Sequence, residues 1–247
     1  MKDADLYVIS GMSSSSPAMF ERRRRILSEA RRLIGQRHPE SFSVRDLCDR
    51  AGVAPNTFYN AFGSKENVMA LAITQYFEEF YQVVEFEQPP EGFAGVIERE
   101  LATTVRDLAI PNYVSAVTAL YFSTSDRALR TALVAIAGRA YLPWLRELQM
   151  KRQLEGGVAL DRVVCNLSHL LYSLVRDWRV GVLTDETFIT ARLDAILCYL
   201  SGVLRGAARK AVRELFADLH GDRHRVSALI QTATRQVSSL NKLRAKK

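Results

Sequence analysis

An all-α fold is predicted by three features of this 247-residue sequence. Residues 43–66 hold two short helical patterns joined by a tight turn. Segments 159–180 and 186–204 carry long apolar stripes of helical period, and no alternating apolar run is long enough to build a sheet. Together they predict a small helix-turn-helix head followed by a larger helical body.

Residues 1–16 end in Gly-Met-Ser-Ser-Ser-Ser, have little to pack, and are expected to form a flexible leader. A first helix opens at Arg22–Arg25. Its Ile26, Ala30, Leu33 and Ile34 fall at i, i+4, i+7 and i+8, so one stripe faces a core while the arginines lie largely outside, next to any phosphate backbone. Pro39 forces a break. Ser43 then caps a helix from Val44 to Ala51, because its hydroxyl satisfies free N–H groups of the first turn. Gly52 stops that helix by tolerating positive φ, and Val53 drops an apolar plug between the two short helices. Pro55 suits the first turn of the next helix, where a missing N–H costs nothing. Phe58 and Phe62 share its inner face; Asn56, Thr57, Tyr59 and Asn60 share the opposite one. Short polar side chains on a compact exposed helix suit major-groove reading, and Asn can pair bidentately with adenine. Ser64 caps a third helix beside Lys65, which should run through Val68, Leu71, Ala72 and Phe80 towards Phe86.

The pattern Thr57-Phe58-Tyr59-x-x-Phe62-x-Ser64-Lys65-Glu66, preceded by Leu47-x-x-x-Ala51-Gly52-Val53, resembles the N-terminal domain of the TetR family of bacterial transcriptional regulators across roughly residues 21–70. The resemblance implies a homodimer of all-helical subunits, each with a DNA-binding head and a ligand-binding body, in which the ligand changes the spacing of the heads. By position it implies that Ser43 and Lys65 grip phosphates, Tyr59 packs on the sugar-phosphate backbone, Thr57 lies at the groove surface, and Arg45 and Asn56 contact backbone or bases, with Asn60 on the same face. The chain departs from the family at His38, where a Gly commonly ends the first helix. It departs again at Asn60 and Ala61, often bulkier aromatic or basic residues, which implies thinner or more water-mediated base readout.

Gln88-Pro89-Pro90, Pro111, the turn at 123–126 and Gly156-Gly157 divide the rest into further helices. The segments 159–180 (Val163, Val164, Leu167, Leu170, Leu171, Leu174, Trp178) and 186–204 (Ile189, Leu193, Ile196, Leu197, Leu200, Leu204) are apolar enough to lack one ordinary wet face. The resemblance makes them a four-helix dimer interface, whose two-fold symmetry suits a palindromic operator; an internal core is the competing reading. By the resemblance, Tyr113, Tyr121, Phe122, Tyr141, Trp144, His169 and Tyr172 lie on the helices that surround the family's cavity; core packing is the competing reading for each, and Tyr121, Trp144, His169 and Tyr172 are the candidate contacts for a small-molecule effector that is largely apolar. Arg106 and Arg176 could bind an acidic ligand, but surface solvation is the default expectation for both. The predicted division is a leader (1–16), a DNA-binding domain (17–66), a ligand-binding and dimerisation domain (67–204) and a basic C-terminal extension (205–247).

Net charge is +7 with pI about 9.5, which suits double-stranded DNA as a partner. From Arg205 onward eleven Lys or Arg face three acids, so the extension carries the whole excess; it is read as a packed helix over 207–220 and a loose tail beyond. Three scattered cysteines fit a reducing cytoplasm. No apolar run reaches membrane-spanning length and no signal pattern opens the chain, so a cytoplasmic protein without a membrane partner is expected. No Gly-rich phosphate loop or nucleophile elbow is present, and the expectation is a non-enzyme without cofactor or metal. The pairs Cys165/His169 and His220/His224 each offer two metal ligands, too few for a site. The sequence reads as a ligand-responsive homodimeric DNA-binding repressor; the alternative is a small-molecule-binding or partner-binding helical protein that no longer reads specific DNA.

Overall fold

The computed structural model describes residues 17–36, 42–221 and 224–244, with side chains described as far as residue 238. The expected leader and the break at His38–Pro39 lie outside these residues.

Three helices make the head. In α1 (Pro17–Gln36) Ile26, Leu27, Ala30, Leu33 and Ile34 are buried along one stripe. Arg23 lies one turn earlier on that stripe and is buried with it, whereas Arg22, Arg24 and Arg25 are exposed as expected. α2 (Val44–Ala51) starts from a capping box: the Asp46 amide donates to Ser43 Oγ, and the Ser43 amide donates to the Asp46 carboxylate. Gly52 ends it at φ 62°, a left-handed conformation for which Gly has no steric penalty. α3 (Pro55–Phe62) follows after Ala54, turning Phe58, Ala61 and Phe62 inward.

The long α4 (Lys65–Val83) is capped by Ser64, whose hydroxyl accepts from the Asn67 amide. It stops at Val83, short of Phe86, because Val84 turns to extended backbone. Its packing ties head to body. α1 lies against both α4 and α6, and one apolar cluster runs from Ile26 and Phe58 through Phe77 and Tyr121 to Tyr172. The head therefore has no separate core of its own.

The body contains α5 (Phe93–Ala109), α6 (Pro111–Ser123), α7 (Arg127–Gly138), α8 (Leu142–Met150), α9 (Leu160–Arg179) and α10 (Asp185–Val203). A methyl group at Gly138 would lie 2.4 Å from Val164 Cγ1, so the glycine lets α7 sit close against α9. No strand is present among the described residues beyond an isolated bridge between Leu154 and Leu204.

Two further helices close the fold. α11 (Gly206–His220) packs Ala208, Val212, Leu215 and Leu219 into the same cluster as Leu193, Ile196, Leu197 and Leu200 of α10. The apolar side chains of α10 expected at a dimer interface are thus buried within one subunit, apart from half-buried Ile189. The expected loose tail is corrected as well. α12 (His224–Arg244) is helical and lies along α5, burying Val226, Ala233 and Val237, three residues on one side of the helix. Gln236 fixes it by donating to Glu98 Oε1 at 2.7 Å.

Candidate nucleic-acid interface and body cavity

The head presents a polar face built by local chemistry. Because Phe58 and Phe62 are held in the core, α3 turns Asn56, Tyr59 and Asn60 outward, with Thr57 half-buried beside them. Tyr59 is 52% exposed. Ala61, by contrast, is 5% exposed and packs inward. Its side chain faces the core rather than the outward face of α3.

Around α3 lie the phosphate candidates. Arg45 is exposed on α2, and the Arg25 guanidinium sits against the Gly52 turn. Ser43 directs its hydroxyl to Asp46 Oδ2 at 2.8 Å, so a phosphate would compete with that carboxylate. Lys65 reaches back from α4, donating to the Phe42 carbonyl with its ammonium over the Phe42 ring. The lysine thereby brings the first turn of α4 beside the first turn of α2. Residues 17–66 hold ten Lys or Arg against six acids, so the head is basic without help from the C-terminal extension.

In the body a small cavity of about 50 Å³ lies among α4, α5, α6, α7, α9 and α10. Most of its wall is apolar. The exception is a buried charged network that sequence reasoning missed. Arg192 on α10 donates to Glu100 Oε1 through Nε at 2.8 Å and to Asp107 Oδ2 through Nη1 at 2.9 Å. Tyr141 donates to Glu100 Oε2 at 2.6 Å, and Arg106 donates to Asp107 Oδ1 through Nη2 at 2.6 Å. Burial alone would disfavour the charged Arg192, but Glu100 and Asp107 more than offset it and hold the guanidinium firmly protonated. Burial, reinforced by Glu100, pushes the Tyr141 phenol well above its ordinary range. Arg106, expected at the surface, is 6% exposed, with its guanidinium over the rings of Phe77 and Phe80 at 4.3 and 4.6 Å.

The four expected ligand contacts are dispersed. Tyr172 lines the cavity and donates to the Leu133 carbonyl at 2.9 Å. Tyr121 stacks on it at 4.1 Å but is walled off in the core. His169 is exposed; its Nδ1 lies 2.7 Å from the Cys165 carbonyl and 3.0 Å from the Tyr121 hydroxyl. Trp144 packs on Phe93 in a different apolar cluster. Of the possible metal pairs, His220 is engaged by Asp194 at 2.6 Å, and no group of three or more potential metal ligands occurs among the described residues. Arg176 is exposed as expected. No described helix is long and apolar enough to cross a membrane.

Comparison with known proteins bears on this arrangement directly. Residues 26–72, from the first helix to the start of α4, match the family described as "Bacterial regulatory proteins, tetR family". None of the curated proteins compared with the chain matches it. Among solved structures, a putative TetR-family transcriptional regulator from Rhodococcus sp. is similar at 19% identity and TM-score 0.51, covering 71% of this chain and 97% of that one. The tylp regulator from Streptomyces fradiae is similar at 17% identity and TM-score 0.51, covering 81% and 95%. A tetR-family transcriptional regulator from Streptomyces coelicolor is similar at 17% identity and TM-score 0.50, covering 91% and 98%. At such identities these likenesses speak for the fold.

Proposed function

We propose that this chain, whose residues 26–72 match the family of bacterial tetR regulatory proteins, is a homodimeric DNA-binding repressor that a small molecule releases from a palindromic operator. The head of residues 17–66 reads DNA through Asn56, Thr57, Tyr59 and Asn60, with Ser43, Arg45 and Lys65 on the phosphates. The body of 67–204 takes the effector, and the extension of 205–247 closes the body.

One observation carries this reading: α4 belongs to both sites. Its first turn, Ser64–Lys65, touches the head at Phe42, while Phe77 and Tyr81, three to four turns on, wall the cavity. A rigid helix converts a displacement at one end into a displacement at the other. A molecule that binds better to one placement of α4 therefore shifts the spacing of two heads, and a palindrome tolerates only one spacing. An effector that moves the heads away from that spacing lowers operator affinity; repression is the sign that the family resemblance implies.

The dimer reading rests on the outer face of α10. Ala191, Ala195, Cys198 and Gly202 recur there at i, i+4, i+7 and i+11, with Cys198 and Gly202 exposed and Leu170 and Leu174 of α9 half-buried. Small residues let a second helix approach closely.

Selection of the full-length protein on random duplex DNA, with Tyr59→Ala and Lys65→Ala in parallel, tests the reading. The expected result is a palindrome that the variants retain poorly. Retention of no sequence, or equal retention by the variants, would leave a helical small-molecule-binding or partner-binding protein in its place.

A further inference from the structure

Granting that the body cavity receives an effector, we propose that Arg106 is its hydrogen-bonding anchor and that the effector is an uncharged, largely apolar molecule bearing a carbonyl-type acceptor.

Arg106 lines the cavity and has one donor group left over. Its Nε and Nη2 both reach Asp107 Oδ1, at 3.2 and 2.6 Å. Nη1 is buried and has no hydrogen-bond partner among the described residues. The rings of Phe77 and Phe80 face the guanidinium and favour its charge, but a ring face is a poor substitute for an oxygen acceptor. A buried donor without an acceptor is costly, and a carbonyl oxygen removes that cost.

Charge decides the class of acceptor. The network holds two guanidinium groups, Arg106 and Arg192, and two carboxylates, Glu100 and Asp107, all buried. It is balanced. A carboxylate ligand would add an uncompensated negative charge in a low-dielectric site. An ammonium ligand would add an uncompensated positive one, and would find the carboxylates taken: Glu100 accepts from Arg192, Thr104 and Tyr141, and Asp107 accepts from both arginines. A neutral carbonyl leaves the balance intact. The remaining wall, including Val114, Val117, Leu171 and Val175, suits an aromatic or aliphatic body.

The same geometry explains how binding reaches α4. Phe77, Tyr81 and Ile136 line both the cavity and a wider groove outside it, between α4 and α7, so they form the wall between the two. A molecule that takes Nη1 in the guanidinium plane lies beside Phe77, which covers the guanidinium face. Phe77 belongs to the helix that carries the head.

The test uses four probes of similar size, acetophenone, ethylbenzene, benzoate and benzylamine. Each is titrated into the full-length protein and into Arg106→Lys and Arg106→Met, with binding read by saturation-transfer NMR and folding checked by circular dichroism. Lysine keeps a cation against Asp107 but lacks the second donor arm. The expected order in the native protein is acetophenone about tenfold tighter than ethylbenzene, with benzoate and benzylamine weaker than either. Arg106→Lys should lower acetophenone binding about tenfold and leave ethylbenzene unchanged. Should neither variant fold, the order in the native protein decides alone. Benzoate or benzylamine binding best, acetophenone and ethylbenzene binding alike, or no probe binding at all would each overturn the proposal. Recovery of a palindrome in the DNA selection together with any of those results would sink this inference and leave the regulator reading standing.

Discussion

The outward face of α3 and the charged wall of the body cavity hold their polar groups in opposite circumstances. On α3 the amides of Asn56 and Asn60 and the hydroxyl of Tyr59 are left to solvent, on a helix only two turns long whose inner face is fixed by two phenylalanines. In the cavity, Glu100, Asp107 and Arg192 are withdrawn from water and satisfied by one another. The exposed face is hydrogen-bonded to water and can exchange those bonds for a partner's. The buried network has no hydrogen-bonding capacity to spare, apart from one arm of Arg106. Substitutions should therefore cost stability in the cavity and binding in the head.

The largest effect expected is from Arg192→Met. It leaves Glu100 and Asp107 buried without their main partner, and unfolding by denaturant should show a loss of about 3–5 kcal/mol. Restoring neutrality at the same site with Glu100→Gln alongside Arg192→Met should recover part of that loss; no recovery would mean that packing rather than charge dominates there.

A close approach gives the second prediction. Gly138→Ala places a methyl group 2.4 Å from Val164 Cγ1 and should cost about 1–3 kcal/mol in the same measurement. Val164→Ala in the Gly138→Ala background should return most of it, because the clash is with that side chain. Additive losses in the double variant would contradict a contact between α7 and α9 at this point.

Legibility from sequence differed between the two regions for a physical reason. The features that define the short helices of the head are local. Ser43 caps through Asp46 three residues away, Gly52 turns on its own backbone, and Phe58 and Phe62 define α3 by spacing alone. The body network is not local: Arg192 meets Glu100 across 92 residues and Tyr141 meets it across 41. A charged residue is by default a surface residue, which is why Arg106 was expected in solvent. One signal was available. Arg192 interrupts the stripe of Ile189, Leu193 and Ile196, and a charge inside an apolar stripe needs a buried partner. The C-terminal helix was hidden for another reason, since Val226, Ala233 and Val237 are sparse, and a polar helix gains its order from the surface it lies on.

The third prediction separates the regions most cleanly. Tyr59→Ala removes a side chain that is 52% exposed, so stability should stay within about 0.5 kcal/mol of the native protein. Operator affinity, measured by fluorescence anisotropy, should nevertheless fall about fivefold to tenfold. Lys65→Ala should lower affinity across all duplexes and reduce the salt dependence by about one phosphate contact.

The smallest effect is expected at Asp46, and it tests whether the two circumstances can conflict at a single residue. The Asp46 carboxylate accepts from the Ser43 amide at 2.8 Å and from the Ser43 hydroxyl at 2.8 Å, completing the box that starts α2. Those are the two donors that a phosphate at this helix terminus would take, and the terminus itself favours an anion. Asp46 is thus a stand-in for phosphate in the free protein and a like-charged competitor in the complex. Asp46→Ala should lower stability by about 0.5–1 kcal/mol, because half of the capping box is lost. The same substitution should tighten operator binding by a few-fold at low salt and by less at high salt, as screening removes the repulsion. Ser43→Ala should weaken both stability and binding. If Asp46→Ala weakened binding as well, Ser43 would be a structural cap alone, and the phosphate contact would pass to Arg45 and Lys65.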